Sequence, residues 1–243
     1  MSREITQYFY LAMLPAVIPV VAARAGGETS AMPVEALPAS FDPPMLAMFI
    51  SPERKTYRLL RESGYFTVNY IDYSKVDTLA LLGAASSRFL PDKLERAGLR
   101  LVEARKVPTV ALADAAAVIE CSLKGVIDVG GDHDIVIGRV EAAFASDDFR
   151  EGGWAYERYK PVLYLGIGVS GQRITLRFSS IGAAKELEYG AGAQHAVAER
   201  GNVYKLVKDS INEIAKRIGK SPEDAAYIML DALKGILAKR WKG

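Results

Sequence analysis

Hydroxyl and cationic side chains recur at close spacing in the first quarter of the chain. Thr29 and Ser30 follow a Gly26-Gly27 turn, Ser40 precedes Asp42-Pro43-Pro44, and Ser51, Arg54 and Thr56 stand close together. Ala31, Met32 and Pro33 lie between the first two groups. Small residues and prolines with fixed φ allow a backbone to approach a flat ligand closely, while hydroxyls beside a cation suit a phosphate. Thr56 falls where a helix is expected to begin, so free N–H groups there would favour an anion. Its other role, compatible with the first, is to cap that helix. A second cluster, Ser86, Ser87, Arg88 and Lys93, has the same composition and reads equally as a solvated helix end. His133 follows a Gly130-Gly131-Asp132 turn, where an imidazole can touch a bound ring or pin the turn by bonding a backbone carbonyl.

The chain that must position these groups has 243 residues, of which 50% are hydrophobic and 25% charged. That composition fits one globular domain with a full core, or one domain with an appendage. A net charge of +2 gives no basic surface for nucleic acid. Cys121 is the sole cysteine, which excludes an intrachain disulfide, and with His133 and His195 as the only histidines a multi-histidine metal centre is not expected. Cys121 reads as a buried structural thiol and His195 as a surface residue. The apolar run from Phe9 to Ala23 is interrupted by Pro15 and Pro19 and is too short to span a membrane, so a cytoplasmic protein is expected.

The positioning elements are mostly strands. Residues 2–13 read as a short helix with Tyr8, Leu11 and Met13 facing inward, followed by a buried strand from Pro15 to Arg24. Further strands are expected over Glu28–Leu37, Met45–Ile50, Tyr65–Ile71, Leu99–Val102, Ala115–Val129, His133–Phe144, Pro161–Leu165 and Arg173–Phe178. Short helices over Thr56–Ser63, Lys75–Ser87 and Pro91–Ala97 separate them, with Gly64 and Gly98 as stop signals. Many strands joined by hairpin turns point to a closed barrel, not to alternating βαβ units. The sequence GIGVSG at 166–171 has glycines like those of a dinucleotide loop, but no helix opens after it. Trp154, Tyr156 and Tyr159 either cover a ligand or pack on one another.

Residues 181–201 read as a linker or covering loop, and 202–243 as a helical hairpin. In the hairpin, Val203, Val207, Ile211, Ile214 and Ile218 recur at helical spacing. Gly219 stops that helix, and Ser221-Pro222-Glu223-Asp224 starts the next. The basic last turn, with Lys239, Arg240 and Lys242, complements the helix dipole.

Several blocks occur in a fixed order: Pro15 and Pro19 with VVAA, then SAMPV at 30–34, Ser40-Phe41-Asp42-Pro43-Pro44, Ile50-Ser51, Thr56, and Ser63-Gly64 through Val68-Asn69. Asp92-Lys93 with Ala97-Gly98, Gly131-Asp132-His133, Ile137-Gly138 with Val140, and PVLYLG at 161–166 follow. Together, over roughly residues 8–170, they resemble the flavin reductase-like family. The resemblance implies a mainly β fold with inserted helices, an FMN-binding split β-barrel of Greek-key type over 1–180. It implies FMN as cofactor, NAD(P)H and flavin or another electron acceptor as partners, and a homodimer whose interface completes the site. Carried onto this sequence, Thr29, Ser30, Ala31, Met32 and Pro33 would face the flavin ring, and Ser40, Ser51, Arg54 and Thr56 the phosphate. Ser87, Arg88 and Lys93 would approach the ribityl-phosphate end, and His133 the ring. Hydride transfer between nicotinamide and flavin needs orientation more than an acid or base, so no catalytic side chain is expected. A non-catalytic FMN-binding electron carrier, or an interaction protein docking through its C-terminal helices, is the alternative.

Overall fold

A computed structural model describes residues 4–84, 92–150, 153–170 and 173–182, together with parts of 211–225. Contacts divide the chain into two units, 1–184 and 185–243.

The first unit is built on a seven-stranded antiparallel sheet. Its strands are β2 (Val20–Ala25), β3 (Glu28–Pro33), β4 (Ala36–Phe41), β5 (Pro44–Ile50), β6 (Tyr65–Tyr70), β9 (Ala117–Ile127) and β10 (Asp134–Ala145). They run in the order β3-β2-β6-β9-β10-β5-β4. β3 and β4 therefore hold opposite edges, yet only Val34 and Glu35 separate them along the chain. The sheet can meet both demands only by curling until its edges converge at that corner. No ladder pairs β3 with β4, so the barrel stays split at this seam. The main hairpin, β9 with β10, pairs Ile127 with Ile135 and Ala117 with Ala145, and register shifts along it bend the two long strands.

Helix α1 (Lys55–Ser63) plugs the barrel. Leu59 and Leu60, fully buried, pack with Tyr57 among Val21, Met48, Phe66 and Val136. Gly64 ends α1 in the left-handed conformation, φ 75°, where its N–H bonds the Leu60 carbonyl. Sequence and structure agree on this helix to within one residue. β2 is buried on both faces: Val21 and Ala23 point into the barrel, while Val20 and Ala22 belong to an outer core with Leu79, Leu82, Val110 and Val162. That outer layer is supplied by α2 (Val76–Ala84), the four-residue α3 (Lys93–Arg96) and a small hairpin of β7 (Leu101–Glu103) with β8 (Val110–Leu112). A separate three-stranded sheet joins β1 (Ala16–Val17), β13 (Leu163–Ser170) and β14 (Arg173–Ser179), and β11 (Phe149–Arg150) pairs with β12 (Gly153–Trp154). A Cβ at Gly138 would stand 2.4 Å from Phe66 Cζ, so the ring of Phe66 lies flush on the β10 backbone.

The expected continuous strand over Pro15–Arg24 breaks at Ile18-Pro19, whose proline lacks the N–H that would carry the ladder through. The first helix is a 3-10 helix, Thr6–Met13, and its inward face is not where expected: Leu11 is 40% and Met13 69% exposed. The expected strand over Glu28–Leu37 is two strands turned at Val34-Glu35. Cys121 is fully buried and burial pushes its thiol up to about 12, as a structural thiol requires. Among Phe149, Trp154 and Tyr159 the rings pack on one another, Trp154 lying 4.0 Å from Tyr159 between centroids. No helix among the described residues is long and apolar enough to cross a membrane.

Of the second unit, residues 211–213 and 215–217 are helical, and Gly219 has φ 65°. Ser221 Oγ accepts the Asp224 N–H at 3.1 Å, the capping contact expected from its sequence. The remainder of the expected hairpin lies outside the described residues, as does the linker with His195.

Candidate functional site

Of the groups singled out in the sequence, Ser30, Arg54 and Thr56 meet at the N-terminus of α1. Its N-cap residue is Arg54, in extended conformation, whose side chain makes no capping bond. The first N–H groups of an α-helix have no partner inside it, and the positive end of the helix dipole lies behind those of Lys55, Thr56 and Tyr57. Thr56 is therefore not the cap. It lies two residues further on, buried, and its hydroxyl meets Ser30 Oγ at 2.8 Å. That buried hydroxyl pair ties β3 to α1, and each oxygen keeps capacity for one more bond.

β3 carries the rest of the first cluster. It pairs with β2 on one side, Ala23 opposite Ser30 and Val21 opposite Met32, and its other edge meets no strand among the described residues. Ser30 and Ala31 are buried, whereas Thr29, Met32 and Pro33 are half-buried. α2 crosses nearby, where a Cβ on Gly83 would come within 3.5 Å of Pro33.

Lys93 arrives from α3. It is 4% exposed, and its Nζ donates to the Leu82 carbonyl at 3.4 Å. Burial lowers the pKa of its ammonium, and the charges of Arg54 and Lys55 are near enough to lower it further. Lys55 is also held at 2.9 Å by Glu28, which binds Arg58 as well. Those two cations pull the Glu28 carboxyl down to about 2, the Arg58 hydrogen bond contributing most.

His133 stands one residue before β10. Because Asp134 pairs with Ile50, the register sets His133 at the level of Ser51, on the approach to α1. Its ring is half exposed and Nδ1 lies 3.1 Å from Asp132. The next residue anchors this corner: the Tyr57 hydroxyl donates to the buried Asp134 carboxylate, and Arg61 donates to the Tyr57 oxygen at 3.2 Å. Ser40 is placed on β4 opposite Met45 and makes none of these polar contacts. Ser87 and Arg88, with Ser86, lie outside the described residues.

Sequence reasoning missed Lys55, Glu28, Tyr57 and Asp134. Lys55 was open to detection as a second cation beside Arg54 at an expected helix start. The Tyr57–Asp134 bond joins positions far apart in the chain, and no spacing signals it.

A strand edge without a partner among the described residues, a buried Ser30–Thr56 hydroxyl pair and cations at Arg54 and Lys55 thus lie together at the first turn of α1. The profile of the flavin reductase like domain matches residues 11–167, and the chain belongs to that family. Over 93% of its length it is 36% identical to an uncharacterized protein of Aeropyrum pernix, of which it spans 93%. It is 33% identical over 132 residues to the reductase component of 4-hydroxyphenylacetate 3-monooxygenase of Thermus thermophilus, covering 54% of this chain and 78% of that one. Among solved structures, flavoredoxin of Methanosarcina acetivorans superposes with a TM-score of 0.63 at 15% identity, over 79% of this chain and 97% of the other. An FMN-binding protein of Thermus thermophilus gives 0.61 at 22% identity, over 77% and 97%. These similarities establish the split-barrel fold.

Proposed function

We propose that the chain is an FMN-dependent oxidoreductase that passes electrons between NAD(P)H and flavin or a flavin-linked acceptor, as a cytoplasmic homodimer. The observation that carries this reading is the buried Ser30–Thr56 hydroxyl pair, which brings the open edge of β3 to the first turn of α1 beside Arg54 and Lys55, whose charges are felt at the buried Lys93. Like charges gathered around a buried ammonium oppose one another, and a bound phosphate dianion would reverse that sign. The residues fit FMN: the α1 N–H groups with Thr56, Arg54 and Lys93 would hold the phosphate. The open edge of β3, from Thr29 to Pro33, offers backbone groups to a flat ring. When bound, FMN supplies the hydride acceptor and the electron store. The protein's own work is to fix orientation and exclude water; the Ser30–Thr56 pair ties α1 to β3 and the Tyr57–Asp134 bond ties it to β10 for that purpose.

The dimer is supported by the outer face of β4, β5, β10 and β9. Leu37 is 57% exposed, Phe49 39% and Ile127 52%, with Phe49, Ile135 and Ile127 in one cross-strand row. An apolar sheet face of this kind is an interface in search of a mate. Light scattering should return twice the 26.4 kDa chain mass.

Oxygen-free titration of the purified yellow protein with NADH and with NADPH tests the reading. Bleaching of the flavin band by either nicotinamide is the expected result. A yellow protein that neither nicotinamide bleaches is an electron carrier or binding module, and a colourless one that takes up no FMN overturns the flavin assignment.

Lys93 gives the site a pH signature. Its ammonium is fully charged below its lowered pKa and is lost as pH rises through that value. FMN affinity should therefore fall on the alkaline side, at lower pH than an ordinary lysine near about 10.4 would set. Lys93→Met should abolish that limb. A wild-type affinity that stays level into the ordinary lysine range would refute the role given to Lys93.

A further inference from the structure

A cavity of about 220 Å³ opens where the β7–β8 hairpin meets the ends of β9 and β10. Alanines form much of its wall, with Leu112 and Val118 beside them, and Phe144 and Ser146 line the β10 side. Three charged side chains line it: Glu103, Arg105 and Glu120. Two of them are committed within the protein. Glu103 receives both guanidinium nitrogens of Arg24, at 2.6 and 2.5 Å. Glu120, 1% exposed, accepts the backbone N–H of Arg105 at 2.7 Å and of Lys106 at 2.6 Å, one on each carboxylate oxygen. The buried carboxylate thus fixes the turn that carries Arg105. Arg105 is different: its guanidinium lies 4.3 Å from the centroid of the Phe144 ring, and no carboxylate pairs with it among the described residues.

We infer that this cavity is a second binding site, for a small carboxylate with an apolar body. Stacking on Phe144 holds the planar fork of Arg105 in place, so little side-chain freedom is lost when it takes a carboxylate through two parallel hydrogen bonds. The alanine-lined wall receives the apolar part, and the Ser146 hydroxyl adds a polar contact at the rim. None of the residues at the α1 site lines this cavity, so the inference stands apart from the flavin reading.

Benzoate titrated calorimetrically into the full-length protein tests it, with benzamide as the uncharged analogue of the same shape. Benzoate should bind saturably, and benzamide should bind at least about tenfold more weakly, as loss of a charge-assisted pair requires. Arg105→Met keeps an apolar stem over Phe144 and should weaken benzoate by a similar factor; Arg105→Lys, with charge but no fork, should fall between. Lys93→Met, altered at the other site, should leave benzoate binding unchanged. Absence of saturable binding, equal binding of benzamide, or indifference to Arg105→Met would each overturn the inference. Loss of binding in Lys93→Met with retention in Arg105→Met would move benzoate to the α1 site and overturn it equally.

Discussion

Asn69→Leu should cost the protein about 1–3 kcal/mol, read as a fall in the urea midpoint followed by Trp fluorescence. Asn69 is fully buried on β6 and joins three elements at once. Its Nδ2 donates to the Val20 carbonyl of β2 at 3.0 Å and to Thr67 Oγ1 at 2.9 Å, while its Oδ1 accepts the Leu112 N–H of β8 at 2.9 Å. Leucine has nearly the same size and keeps none of these bonds. Thr67 loses least, because its hydroxyl still donates to the Val110 carbonyl at 2.7 Å. The Leu112 N–H is left buried without a partner, at about 1–3 kcal/mol, whereas the Val20 carbonyl keeps the backbone N–H of residue 69 opposite it in the ladder. Set against a typical total of about 5–15 kcal/mol, that is a sizeable fraction of the stability. A midpoint shift worth less than about 1 kcal/mol would mean that water or a local shift satisfies the Leu112 N–H, and the account of Asn69 as the tie between the barrel and its outer layer would fail.

The second large effect concerns binding. Arg54→Ala combined with Lys93→Met should weaken FMN by about 10²–10⁴-fold, since each charge-assisted phosphate bond is worth about 1.5–3 kcal/mol. Riboflavin has the same ring and no phosphate, and its affinity should change little. The contrast between the two flavins, measured by quenching of flavin fluorescence, separates a phosphate site from general damage. Equal losses for both would point to a collapsed barrel, and no loss for either would move the phosphate away from α1. Neither substitution removes an apolar core contact: Arg54 stands at the N-cap, and Lys93 is buried through its stem with its charge disfavoured.

Much of the fold was legible because it is locally written. α1 shows an apolar pair at Leu59-Leu60 and a stop glycine at Gly64. The β9–β10 hairpin shows alternation on both sides of a glycine turn. Among the family blocks, Ser30 and Thr56 come from separate stretches of sequence and meet through their hydroxyls. What failed depends on tertiary context. The apolar residues of Thr6–Met13 promised an inward face, but periodicity reports which residues share a face and not what lies opposite it. β8 is three residues long and escapes notice between Pro108 and Ala113. Thr56 had the residue type of a cap, yet a buried serine from another strand claims its hydroxyl. Lys93 is set by its contact with α2, where it bonds the Leu82 carbonyl, and no spacing in the sequence relates it to Arg54, almost forty positions earlier.

The link between β3 and β4 has a consequence for how such a chain can change over time. Val34 and Glu35 alone carry it from one edge of the sheet to the other, so length is constrained there, and the buried Val34 is constrained in type as well. Inserting or deleting one residue would advance β4 by half a pleat and exchange its inner and outer faces, placing Leu37 where Ala36 now packs. Point substitutions at Glu35, an exposed position, meet no such barrier. In a lineage of these proteins the corner should drift at position 35, stay apolar at position 34 and hold its count, with added segments accepted instead at looser turns such as Asp128–Gly131.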